Sequence, residues 1–251
     1  MSTFTRRMLG WWVLAVLVAA GFAMLGRWQL ARMHEKQAML AQAQHALDHS
    51  HAQPLLLASD PKRASNYDWS SGQGRIANVT VWLDNQQRNG QVGVRMYCVL
   101  LPDIGSQAVL LDAGWWPLNG TRTMPVFGCP ARAEQRVRGL LAPPPAEGLL
   151  HGDAQARLDE NRWLAARMDV PALAKALHLP TGIAPRVLRL DPQRQHDDAG
   201  VMLAPGERDL EILPNTLTPE RHLGYAVQWF GLAITVLVVA LVLTFKRKKT
   251  A

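Results

Sequence analysis

Cysteine is almost missing from this chain: Cys98 and Cys129 are the only two among 251 residues. Two cysteines build no disulfide framework, and without a C-x-x-C pair neither thioredoxin-like exchange nor thiol-based metal delivery has support. Cys98 lies in an apolar alternating run, so a buried free thiol and a bond to Cys129 are equally open. Also missing are G-x-S-x-G, a phosphate-binding glycine loop, H-E-x-x-H and a paired Cys–His signature, which leaves a catalytic reading without its parts. Acidic residues are scattered, with Asp197-Asp198 in a loop-like stretch, and the expectation is that the protein is not an enzyme. Basic residues exceed acidic ones, 27 against 20, for a formal charge of +7. They are dispersed and not interleaved with aromatics, so no nucleic-acid partner is expected. No internal repeat is evident.

What the chain does have is two long uncharged runs, one near each end. The first lies between Arg7 and Arg27, the second between His222 and Lys246. A bilayer core takes about 20 apolar residues in helical form, because unpaired backbone groups are too costly in hydrocarbon. Both runs reach that length, so membrane lipid is the first expected partner. Lys246, Arg247, Lys248 and Lys249 follow the second run directly, and the positive-inside rule puts that end in the cytoplasm. With two spans, the intervening domain then lies outside the cytoplasm and both termini inside. Arg6 and Arg7 before Leu9–Ala20 also read as a secretory signal with a cleavage site at Val18-Ala19-Ala20. The apolar run continues to Leu25 and Gly26, which favours a retained helix.

The resulting expectation is a membrane protein with two transmembrane α-helices, N- and C-terminal, flanking a β-rich α+β extracytoplasmic domain. Its parts are a first span over 8–27, a juxtamembrane helical extension over 28–50, the domain over 51–217, a second span over 218–245 and a basic tail over 246–251. Residues 28–50 are rich in strong helix formers without Gly or Pro. Val92, Val94, Met96, Cys98 and Leu100 alternate with their neighbours as a strand with one buried face would. A turn at 102–106 returns the chain into 107–113, making a hairpin. Further strands are expected at 75–83, 136–141 and 186–191. A short helix is expected between a cap at Asp169 and Pro180. Residues 192–217 read as a polar surface connection.

Each membrane boundary carries a motif. Thr218 can cap the second span, with Pro219 in its first turn. At about 100° per residue His222, Tyr225, Ala226 and Trp229 share a face. A neutral imidazole there can ligate a metal, whereas the plainer reading is an interfacial His and Trp belt. Leaving the first span, Trp28, Arg32 and Lys36 lie on one face, for which the plainer reading is a snorkelling basic girdle. Trp28 and Trp229 are expected in one interfacial layer, with Gly21, Gly26, Gly224 and Gly231 allowing the helices to approach closely. His45, Asp48 and His49, near His34 and His51, are spaced for a helical metal site but lack a complete ligand shell.

Taken together, LGRWQLAR (25–32) with Lys36 and HLGYAVQWFGLA (222–233) resemble the Surfeit locus protein one family. Leu25, Gly26, Trp28, Gln29, Arg32 and Lys36 match its first signature. His222, Leu223, Tyr225, Trp229, Phe230 and Gly231 match its second. Val137–Leu141 and Gly114-Trp115 extend the resemblance into the middle. The chain departs from the family at Asp112-Ala113, where an Asn-Arg pair is usual, and at Glu220-Arg221, as a divergent bacterial member would. The resemblance implies an inner-membrane assembly factor, or chaperone, for cytochrome c oxidase, in respiratory complex IV. It implies transient binding of haem a and insertion into subunit I, with haem a synthase as a further partner. His222 is the implied axial ligand of the haem iron. Tyr225, Trp229 and Trp28 are implied as macrocycle contacts, and Arg32 and Lys36 as propionate partners. A structural chaperone without haem is the alternative.

Overall fold

In the computed structural model, which describes residues 3–48, 51–105, 107–130, 132–145, 155–193, 206–213 and 216–249, one unbroken helix, α1 (Thr3–Asp48), leads the chain. Its 46 residues extend about 69 Å, more than twice a bilayer core. The terminal helix, α3 (Pro219–Lys249), starts at a proline whose missing N–H costs nothing in a first turn. The Thr218 carbonyl accepts from the Arg221 and His222 N–H groups at 3.1 and 3.2 Å. Both helices meet the length and hydropathy of a membrane crossing. The chain divides into two compact units, residues 1–40 with 216–251, and residues 41–215.

The first unit is the helix pair. Its less exposed positions on α1 fall at Trp12, Ala15, Ala19, Phe22, Gly26, Gln29 and Met33, in alternating steps of three and four. On α3 they fall at His222, Ala226, Trp229, Ala233, Val236 and Ala240. This is the seam of a coiled-coil-like packing, which keeps one narrow stripe of each helix against the other. At one end Trp12 Nε1 donates to Thr244 Oγ1 at 3.1 Å. Of the four glycines expected at the contact, only Gly26 is there. A Cβ at Gly26 would come within 2.8 Å of the Phe230 ring, while Gly21, Gly224 and Gly231 face open space. Hydrophobicity alone did not separate seam from lipid face, because lipid is as apolar as the partner helix.

The second unit is built on β1 (Gln53–Pro54), β2 (Asp68–Arg88), β3 (Gln91–Pro102), β4 (Ala108–Pro117), β5 (Arg132–Ala142), β6 (Gln155–Arg157), β7 (Arg162–Ala165), a short helix α2 (Val170–Ala176) and β8 (Ile183–Leu190). The pairings β2–β3, β3–β4, β4–β8, β8–β5 and β5–β2 close on themselves, so these five strands form a barrel. Closure leaves no open edge among them. One core cluster takes residues from all five, including Ile76, Met96, Leu111, Val137 and Leu188. A second lies on the other face of β2, β3, β4 and β8, where Leu173 and Ala174 of α2 and Met168 cover Val81, Val99, Leu110 and Val187. Asp169 caps α2, its carboxylate accepting from Ala172 N–H at 3.0 Å.

Several expectations need correction. The strand expected over 75–83 begins at Asp68 and runs to Arg88, where an Asn89-Gly90 turn with φ of 50° and 76° starts a tight hairpin to β3. Strand β3 is buried on both faces rather than one, because α2 and the segment before it cover its outer side. The short strands β6 and β7, the latter parallel to β2, were not foreseen. Cys98 and Cys129 are joined in a disulfide across 31 positions, with Cα atoms 5.6 Å apart. The bond pins a loop whose Leu118, Met124 and Phe127 pack on the inner core.

The stretch expected as a polar surface connection is partly structural. Glu207 pairs with Trp115 by two backbone hydrogen bonds of 2.8 Å, where Gly114 has φ of +115°. Asp209 then enters a buried cluster with Arg95, Asp112 and Arg189. Arg95 donates to Asp112 at 2.9 Å and to Asp209 at 2.8 Å, and Arg189 to Asp209 at 2.9 Å. Burial alone would raise the Asp209 carboxyl, but the charges of Arg95 and Arg189 outweigh it and hold the group below the usual range. Asp197-Asp198 and His49 lie outside the described residues.

Candidate functional site at the membrane boundary of the helix pair

His222 sits in the first turn of α3 and turns inward, 7% exposed, onto the seam with α1. Its Nδ1 donates to Gln29 Oε1 at 2.7 Å, a contact that joins two residues 193 positions apart. An amide oxygen can only accept, so this bond assigns the ring proton to Nδ1. In the neutral ring the other nitrogen, Nε2, then carries the lone pair. It has no hydrogen-bond partner among the described residues and is not one of the side-chain atoms sealed inside without one. Ala226, one turn on, is 1% exposed in the same seam.

The other expected site residues divide between the seam and the outside. Trp229 is half-buried and stacks on Phe22, centroids 5.6 Å apart and planes at 28°. Tyr225 shares the His222 face only at its margin, 42% exposed. Trp28 is 53% exposed, and the Arg32 guanidinium carbon lies 6.0 Å from its ring centroid. Arg32 also donates to Glu35 Oε2 at 2.7 Å, an exposed pair of small energetic weight. Lys36 is half-buried one turn beyond. The six residues therefore do not converge on one point. Trp28 and Arg32 form a stripe on the outward side of α1, while His222 and Trp229 belong to the seam. Nor do the two tryptophans share a layer: Trp229 stacks on Phe22, about 9 Å of helix rise before Trp28.

Gln29 is the residue that sequence reasoning passed over as a functional group. Its signal was available. An amide one turn past Leu25, on the three-four spacing that includes Gly26 and Met33, is a polar group placed where an apolar one would pack. What the sequence could not supply was its partner. As to metals, among the described residues no three His, Cys, Asp or Glu side chains gather as a ligand set, His34 and His51 being exposed.

Compared with known protein families, residues 16–234 match the SURF1 family. The match takes in both boundary motifs and the whole barrel unit between them. No curated protein matches the chain.

Proposed function

The chain belongs to the SURF1 family, which is associated with cytochrome oxidase assembly, and from that membership we propose a non-enzymatic carrier that binds haem a transiently and aids its insertion into subunit I. The observation that carries this reading is His222, a boundary imidazole whose Nδ1 is engaged and whose Nε2 lone pair is left over. Such a nitrogen could hold a haem iron. A single ligand suits a carrier, which must release what it holds. Tyr225 on α3, near His222 in sequence, and Trp28 on α1, beside Gln29, are exposed rings, whereas Trp229 is stacked on Phe22 in the seam. Arg32 and Lys36 lie on successive turns on the water side, where propionates would sit; Arg32 would exchange its exposed bond to Glu35 for a propionate. A bound haem would supply the iron; the chain would supply the His222 nitrogen and the cations of Arg32 and Lys36.

In the same reading the protein sits in the inner membrane with both termini cytoplasmic and residues 51–217 periplasmic, and receives haem from haem a synthase. Replacing His222 with Ala should abolish the haem a spectrum of the detergent-purified protein at unchanged abundance. Arg32→Ala should weaken retention less, since the axial bond remains. Equal haem content in wild type and His222→Ala would remove the ligand role.

The Gln29–His222 bond also supports a second reading, in which the ring is an interhelical clasp and the protein a structural chaperone without haem. Under that reading His222→Ala loosens the helix pair and changes no spectrum.

A further inference from the structure

We propose that Gln29 is the positioning residue of the site: by accepting from His222 Nδ1 it fixes the ring tautomer and aims Nε2 as the ligand nitrogen. The inference rests on the reading of His222 as a haem ligand and adds to it the residue that makes the imidazole competent. A neutral imidazole exchanges its proton between two nitrogens, and only the bare one can bind iron. In water the two forms interconvert freely. At the seam, Gln29 Oε1 at 2.7 Å offers an acceptor to Nδ1 alone.

Both side chains are largely buried, Gln29 at 9% and His222 at 7% exposure, which limits the access of water to the bond. A buried amide in an apolar helix seam is expensive unless it is partnered. Its partner is on the other helix, so ring orientation is coupled to the packing of α1 against α3. The flanking contacts hold this register. Gly26 lets the Phe230 ring approach on one side, and Phe22 stacks on Trp229. Residues that hydrogen-bond the non-ligating nitrogen of a metal-bound histidine fix its orientation and raise its basicity; losing them typically costs about 10- to 100-fold in affinity.

The test uses the full chain in detergent and four proteins: wild type, His222→Ala, Gln29→Met, which keeps length and loses the acceptor, and Gln29→Glu, which keeps an acceptor. The first readout needs no haem. Nitrogen NMR of histidine-labelled protein, with the ring neutral, should show the Nδ1-protonated form for His222 in wild type and in Gln29→Glu. It should show a shift toward the Nε2-protonated form in Gln29→Met. The second uses haem a as probe: the ferrous iron–histidine stretch should fall in Gln29→Met and return in Gln29→Glu, with haem lost on the order of 10-fold faster from Gln29→Met. If His222→Ala holds haem like wild type, the ligand reading falls and this inference with it. If His222→Ala loses haem while Gln29→Met matches wild type in tautomer and stretch, the inference alone is overturned and the ligand reading stands.

Discussion

Asp112 shows how much a single side chain carries in the barrel unit. At 4% exposure it accepts from Arg95 and from the Gly114 N–H, and Arg189 lies 3.5 Å from it. Removing it leaves two buried guanidiniums with one carboxylate between them. An uncompensated buried charge costs about 3–5 kcal/mol. Asp112→Ala should therefore lower the thermal midpoint of the full chain, followed by tryptophan fluorescence in detergent, and free the 206–211 segment to proteolysis. Acid should act on the same contacts. The Asp68 and Asp209 carboxyls are both held below their ordinary value; burial opposes this at each, and is outweighed by Arg63 and Arg186 at Asp68 and by Arg95 and Arg189 at Asp209. A depressed folded pKa gives stability that is complete above the unfolded value, about 3.9, and is lost as pH falls through the folded one. The melting temperature should thus fall below about pH 4, and Asp209→Asn should flatten that fall. A pH profile unchanged in Asp209→Asn would show that the carboxylate is not stabilised by its arginines.

Among the elements, the helix pair and the disulfide-bonded loop make separate demands. Gly26 is the close contact of α1 with Phe230, so Gly26→Leu should force the helices apart, while Gly21→Leu adds a side chain to open space. Cysteines placed at Ala19 and Ala233, both buried in the seam, should cross-link in the wild-type background and in Gly21→Leu. Loss of the cross-link in Gly26→Leu alone is the expected pattern; equal cross-linking in all three would show that Gly26 does not set the helix spacing, and none in any would place the seam elsewhere. For the loop, a bond closing 31 positions removes chain entropy from the unfolded state worth about 3–4 kcal/mol. Cys129→Ala should cost that order of stability and expose the loop around Phe127, whose ring meets Trp82 and Trp116 edge-on at 5.5 and 4.9 Å. Haem retention in Cys129→Ala should be unchanged, since the proposed ligand belongs to the other unit.

For the molecule as a whole, the two apolar helices make it a two-span membrane protein, and the basic residues after Phe245 argue for cytoplasmic termini. A cytoplasmic reporter joined at residue 251 should be active, and a periplasmic reporter joined at Gly120 should be active. Periplasmic activity at residue 251 would refute the orientation. A carrier of this form would hold its cargo at the bilayer surface, where an amphipathic macrocycle partitions.

The helices were legible because their information is local: twenty apolar residues in a row, a cap at Thr218 and a charged tail need no partner to be read. Strands β3, β4, β5 and β8 were legible for the same reason, from short runs of apolar residues between turn signals. The boundary motifs pointed to the family and to His222 without any geometry. Closure of the barrel was not legible, because periodicity says which residues face inward and not which strand lies alongside. The Cys98–Cys129 bond, the cluster of Arg95, Asp112, Arg189 and Asp209, and the Gln29–His222 hydrogen bond share that origin. Each joins residues far apart in sequence, and a buried polar group takes its meaning from the partner that satisfies it, which only the folded chain provides.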